Sequence, residues 1–156
     1  MRRRRIRARR DFCYNGALMH VRKALPREIP NAVGLARSLG LDYPGMEGDA
    51  FWVAEDDGGR TVGVVALKRH PDCLELCTLG VEPGSRGRGM AKALVEALMA
   101  EAPGPVHLAT VIPGFFESCG FERTAVVPRA FIDKWRSDWC DGCDRRLCTV
   151  MLRKAP

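Results

Sequence analysis

What the sequence lacks narrows it first. No apolar run approaches the roughly 18 residues a membrane-spanning helix needs, so no membrane partner is expected. No apolar stretch follows the N-terminal charges, so no secretory signal is expected either. No Gly-Lys-Ser/Thr closes a Walker loop, and the glycines at 84, 87 and 89 lack the dinucleotide spacing. No repeat or low-complexity linker divides residues 19–156. Histidine is scarce: His20, His70 and His107 are the three, all distant from the C-terminal cysteines.

The seven cysteines are an odd count for a chain with no secretory signal, which argues against a disulfide framework. The expectation is a cytoplasmic protein with reduced thiols. The net charge of +6 is local. Residues 1–18, "MRRRRIRARRDFCYNGAL", account for all of it, and residues 19–156 balance to zero. The arginine run fits an arm for nucleic acid or an anionic surface, a targeting presequence, or an upstream extension without structural consequence. We expect the last, with a single folded domain over 19–156 opening at Met19.

The pattern along that domain alternates. A strand at 19–24 precedes a helix carrying Ile29, Val33, Ala36 and Leu39 near helical spacing. "AFWVAE" (50–55), "TVGVVALKRH" (61–70) and "CLELCTLGV" (73–81) form an antiparallel meander. A glycine-rich turn then leads into a helix from Met90 to about Ala102, with Met90, Leu94, Ala97 and Leu98 on one face. "PVHLATV" is a strand, "PGFFESCGF" a short helix stopped by a glycine, "FERTAVV" a strand, "RAFIDKWRSDW" helical and "CTVMLR" a closing strand. The sum is one mixed α/β sheet flanked by helices.

The turn "VEPGSRGRGMAKALVEAL" carries the first chemistry. A helix start exposes unpaired backbone N–H groups and the positive end of the helix dipole. Gly87 and Gly89 let the backbone approach a ligand closely, and Arg86 and Arg88 add charge suited to phosphate. The set reads as a pyrophosphate cradle; its bland counterpart is a solvated turn with surface arginines.

This stretch resembles the acyl-CoA motif of the GNAT-type N-acetyltransferases: Val-x-Pro, then Arg86, Gly89 and Ala91 as R-x-x-G-x-A, then a helix. "FFESCGF" (115–121) follows at the family's distance. The resemblance implies a sheet splayed at an acetyl-CoA site and acetyl-CoA as co-substrate. Backbone amides from Arg86 through Gly87, Arg88, Gly89 and Met90 to Ala91 would hold its pyrophosphate. Leu79, Gly80 and Val81 would run beside the pantetheine arm, and Phe116 would stand where the family's acidic tyrosine usually is. Tyr43 and Cys119 are the alternatives for that acid. A direct attack of the amine on the thioester is implied, without an acyl-enzyme.

Such a reaction needs a base. Glu75 is an acid in an apolar strand and, counting by twos, shares a side with Leu79 and Val81. His70 is second choice as base. In layout the chain is similar to the acetyltransferase domain of N-acetylglutamate synthases and related amino-acid acetyltransferases. That places Arg146 as a fork for a substrate carboxylate and makes an amino acid such as glutamate the expected amine. The alternatives are a protein or peptide N-acetyltransferase, or a non-catalytic acyl-CoA-sensing module. A homodimer stays open.

"WCDGCDRRLC" places Cys140, Cys143 and Cys148 as C-x-x-C with a third cysteine. A structural zinc is one reading, needing a fourth ligand from Asp141, Asp144 or Cys13. Reduced structural thiols are the reading we favour.

Overall fold

A computed structural model describes residues 10–14, 17–140 and 144–156. Its strands are β1 (Arg10–Tyr14), β2 (Ala17–Lys23), β3 (Ala50–Glu55), β4 (Thr61–Arg69), β5 (Leu74–Val81), β6 (Val106–Thr110), β7 (Glu122–Arg123) and β8 (Thr149–Arg153). Its α-helices are α1 (Ile29–Ser38), α2 (Met90–Glu101), α3 (Pro113–Ser118) and α4 (Arg129–Trp135). All eight strands form one sheet, in the order β1-β2-β3-β4-β5-β6-β8-β7. The β5–β6 pair is parallel and the others are antiparallel. Among the described residues no helix is long and apolar enough to cross a membrane.

The central strands are apolar on both sides because a helix covers each face. Val65 and Leu67 of β4 belong to the core under α2, with Met90, Leu94, Val95 and Leu98. Val64 and Ala66 of the same strand face α1, against Ala32, Val33 and Ala36. Helix α1 accepts its early proline and stops at Gly40, whose φ of 68° admits the left-handed turn. The Gly40 and Leu41 amides donate back to the Arg37 and Ala36 carbonyls, which delivers Leu39 and Leu41 over β5.

Two expectations are corrected. The folded unit does not open at Met19: β1 pairs with β2, which begins at Ala17, so the proposed boundary falls inside a strand. The arginine run had masked a short hairpin. Residues 1–9, the bulk of the proposed arm, lie outside the described residues. Nor does "FERTAVV" make a full strand, since β7 covers two residues against β8. Past Thr124 the chain leaves the sheet edge and Val126 stands 75% exposed, so its β-branched run has nothing to pair with.

A charge clamp fixes the turn from β2 into α1. Arg22 donates both terminal nitrogens to Glu28 at 2.8 Å, and Nη2 also reaches Glu55 at 2.5 Å. Glu28 in turn accepts from the Leu25 amide at 2.7 Å. The Arg22 hydrogen bonds hold the Glu28 carboxyl at about 2, against an ordinary 4.5. A depressed carboxyl stabilises the fold above its unfolded pKa and loses that contribution as the pH falls through its folded one. Replacing Glu28 with Gln should therefore cost about 2 kcal/mol at pH 7. Urea midpoints of the two chains should converge between about pH 4.5 and 2.

Candidate active site

Strands β5 and β6 separate soon after they meet. They pair at Leu74 with Val106 and at Glu75 with His107, and no further. Beyond Glu75, the β6-facing edge of β5 has lost its neighbour. On its other edge β5 carries a bulge: Ala66 faces Cys77 while Val64 faces Gly80, so β5 holds one extra residue there. Thr78 absorbs it with a φ of 48°, outside the usual range of a β-branched residue. Its hydroxyl donates to the Leu41 carbonyl at 2.8 Å, tying the bulge to the segment after α1.

Two cavities meet at this opening. The first, about 520 Å³, is lined by Leu79, Gly80, Val81, Arg86, Gly87, Gly89, Met90 and Ala91, with Leu39, Leu41, Ile112 and Phe115 opposite. Eight of the ten residues expected for a cofactor thus border one space. Arg88 is not among the lining residues, and Phe116 borders the second cavity instead. Gly87 and Gly89 have φ of 76° and 74°, and Gly89, the N-cap of α2, has no side chain to satisfy the first-turn amides. Arg86 donates Nε to the Val81 carbonyl at 2.9 Å, which fixes the turn against the strand.

The second cavity, about 560 Å³, lies in the gap between β5 and β6. Glu75, Thr78, Thr110, Phe116, Tyr43 and Lys134 border it, and Leu41, Leu79 and Ile112 belong to both spaces. Glu75 is 3% exposed at its side chain. Its Oε1 accepts from Lys134 Nζ and its Oε2 meets His70 Nε2, both at 2.7 Å. Burial alone would lower the Lys134 ammonium, but the charge and hydrogen bond of Glu75 outweigh it and hold the group above its ordinary value.

The count by twos fails here. Register puts Glu75, Cys77 and Gly80 on one face of β5. Leu76, Leu79 and Val81 pack with the core on the other. The bulge at Thr78 reverses the phase, so Glu75 reaches the gap from the face opposite Leu79 and Val81. His70, the second choice as base, is the partner of the first.

Arg146 does not join the site. Its side chain is 90% exposed and holds Asp144 at 3.1 Å within a short turn, away from both cavities. The strand-end position that suggested it belongs to the surface. Lys134 is the cation sequence reasoning missed. It lies one turn after the buried Phe131 on α4, and that i, i+3 spacing was the available signal.

The expected stand-ins for an acid also differ. Cys119 packs in the core with its thiol pushed up by burial. Tyr43 borders the second cavity, but its hydroxyl donates to Asp49 at 2.5 Å, and burial above all holds the phenol protonated. Cys140 and Cys148 border a separate cavity behind Lys134, and Cys143 lies outside the described residues. Among the described residues no group of three His, Cys, Asp or Glu is arranged to hold a metal, so the zinc reading gains no support.

Comparison with known proteins agrees with this architecture. Residues 47–123 match the acetyltransferase (GNAT) domain family. Over those residues the chain is similar to GNAT acetyltransferase domains. It is 30% identical over 98 residues to a mycothiol acetyltransferase of Actinosynnema mirum, covering 60% of this chain and 31% of that one. The fold superposes on N-acetylglutamate synthase of Neisseria gonorrhoeae, solved with coenzyme A and N-acetyl-glutamate, with a TM-score of 0.68 at 20% identity. That match covers 88% of this chain and 35% of the synthase, so the chain spans about a third of each of these two relatives. A phosphinothricin acetyltransferase of Sinorhizobium meliloti, solved with acetyl-CoA, is similar at a TM-score of 0.58 and 17% identity, covering 86% of this chain and 87% of that one.

The Glu75–Lys134 pair is the electrostatic centre of this site, and a stability measurement tests it. Replacing Glu75 with Gln leaves a mostly buried ammonium without its carboxylate. The expected cost is about 2 kcal/mol at pH 7, below that of a fully buried pair because Lys134 is 34% exposed. A group raised in the fold stabilises it below its unfolded pKa and ceases to do so as the pH rises through its folded one. The gap between the two chains in chemical denaturation should persist through neutral pH and close above the ordinary lysine value of 10.5.

Proposed function

We propose that the chain is an acetyl-CoA-dependent N-acetyltransferase acting on the amine of a small, anionic molecule, an amino acid such as glutamate. The observation that carries this is the meeting of the two cavities at Leu41, Leu79 and Ile112, with the Glu75 carboxylate and the Lys134 ammonium bordering the second and not the first. Relatives solved with coenzyme A or acetyl-CoA support the first cavity as the cofactor's.

The first-turn amides of α2 and the Arg86–Gly89 backbone would take the pyrophosphate. The β6-facing edge of β5 beyond Glu75 has free backbone groups for the pantetheine amides. The thioester carbonyl would then lie at the gap, beside the amine. Glu75 would accept a proton from the substrate ammonium, freeing the lone pair for attack. Lys134 would read the substrate's carboxylate at the same time, which is the task first assigned to Arg146. Phe116 supplies a wall and no proton.

Thiol release from acetyl-CoA, with the twenty amino acids supplied singly, tests the reading. We expect release with one or a few acidic amino acids. Glu75→Gln should lower kcat by about 10²–10⁴-fold. Lys134→Met should raise KM for the amino acid and leave KM for acetyl-CoA unchanged. Acetyl-CoA binding with no release from any amino acid would sink the amino-acid reading and favour a peptide amine or a sensing role.

A separate variant tests the first cavity. A Cβ at Gly80 would lie 2.5 Å from Leu41 Cδ1 and 2.8 Å from Leu39 Cδ1. Both are flexible side-chain ends, so the fold should lose no more than about 1.5 kcal/mol. The displaced leucines border the cofactor space, however. Calorimetric titration should show Gly80→Ala binding acetyl-CoA several-fold more weakly, with the thermal midpoint lowered by no more than about 6 °C.

A further inference from the structure

Acetyl transfer from a thioester to an ammonium releases one proton per turnover. The ammonium gives up a proton to become nucleophilic, the C–N bond forms as the C–S bond breaks, and the amine's second proton stays with the departing thiol. The first proton must reach water. Where both cavities at the β5–β6 gap are filled by the two substrates, it needs another way out.

Glu75 borders a further cavity on the side away from the gap. This space, about 230 Å³, is also lined by His70, Lys68, Tyr43, Cys77 and Lys134, with the exposed Pro44 at its rim. Exposure rises outward along the hydrogen bond, from 3% at the Glu75 side chain to 16% at His70. Glu75 is therefore a wall between the substrate's space and a second space on which His70 opens.

We propose that His70 is the proton exit of this site: a relay that takes from Glu75 the proton lost by the substrate ammonium and passes it to water on the far side. This rests on the acetyltransferase reading above. The ammonium protonates Glu75, and the proton moves along the 2.7 Å contact to His70 Nε2. The ring that accepts at Nε2 carries its own hydrogen on Nδ1. The imidazolium so formed loses that second proton to water in the outer cavity, and the carboxylate is restored. Exchange of the Nε2 proton with water returns the starting tautomer before the next turnover.

The other groups facing this space are poor carriers. Lys68, from β4, holds its charge over the Tyr43 ring, 4.9 Å from the centroid. Tyr43, from the segment before β3, is kept protonated mainly by burial and bonds to Asp49. The Cys77 thiol, on β5, is pushed well up by burial and by Glu75. Lys134, from α4, stays an ammonium beside Glu75. Asp72 and Cys73 occupy the turn between His70 and β5, where the Cys73 thiol is pushed up to about 11, first by burial. His70 supplies the imidazole there, which can take a proton on one ring nitrogen and release one from the other.

The test uses the full chain and begins without any amine. The ring resonances of His70 are followed by NMR against pH in the wild-type chain and in Glu75→Gln, and the His70 titration curve is expected to move. With the amino acid that proves active, His70→Gln is expected to lower kcat about tenfold or more, at unchanged KM for acetyl-CoA, and to alter the acidic limb of the pH–rate profile. In His70→Ala, added imidazole is expected to restore kcat saturably.

An unmoved titration curve, or a wild-type pH profile in His70→Gln, overturns the relay and leaves acetyl transfer standing. Loss of kcat with no imidazole rescue assigns His70 a structural role and overturns the relay as well. A moved curve with no turnover of any amine overturns the acetyltransferase reading, and the relay with it.

Discussion

A carboxylate with almost no exposure cannot remain ionised alone, and the architecture around Glu75 answers that constraint. Leaving it unpaired in a medium of low polarity would cost several kcal/mol. Three elements are drawn together to prevent this: the turn after β4 supplies His70, β5 carries Glu75, and α4 supplies Lys134. The register that makes it possible is short. Glu75 is the last residue of β5 to face β6, so it sits where the sheet stops being closed. One residue earlier it would lie inside the paired stretch, whereas Leu79, four residues later, already borders the first cavity.

How much was legible follows from how local each signal was. The cradle was legible because glycines at a helix start determine their own backbone, and Gly87 and Gly89 adopt the left-handed turn without help from distant residues. Glu75 was legible because an acid in an otherwise apolar strand is conspicuous. Its face was not. The bulge that reverses the phase of β5 sits at Thr78, a β-branched residue that a strand normally welcomes, and its left-handed backbone is held by a carbonyl 37 residues away. Arg146 and Lys134 were confused for a similar reason. Both are cations in the C-terminal third, and which one turns inward depends on how α4 docks beside Phe131. The β1–β2 hairpin was hidden by composition, since arginines beside a short apolar pair read as tail.

The segment after α1 links the two halves of the site. Gly40 ends the helix, and the amides of Gly40 and Leu41 close onto its last turn. Leu39 and Leu41 therefore settle where Gly80 leaves no Cβ in the way. The Thr78 hydroxyl fastens the Leu41 carbonyl from the other side. Leu41 borders both cavities, so a ligand that shifts it in one changes the shape of the other. The bulge that defeats counting by twos is the same feature that holds this shared wall. Strain at Thr78 stands beside a hydrogen bond that offsets it, and the pair fixes the width of the junction where thioester and amine would meet. A rigid junction favours reaction because the reacting atoms need little further ordering once both are bound.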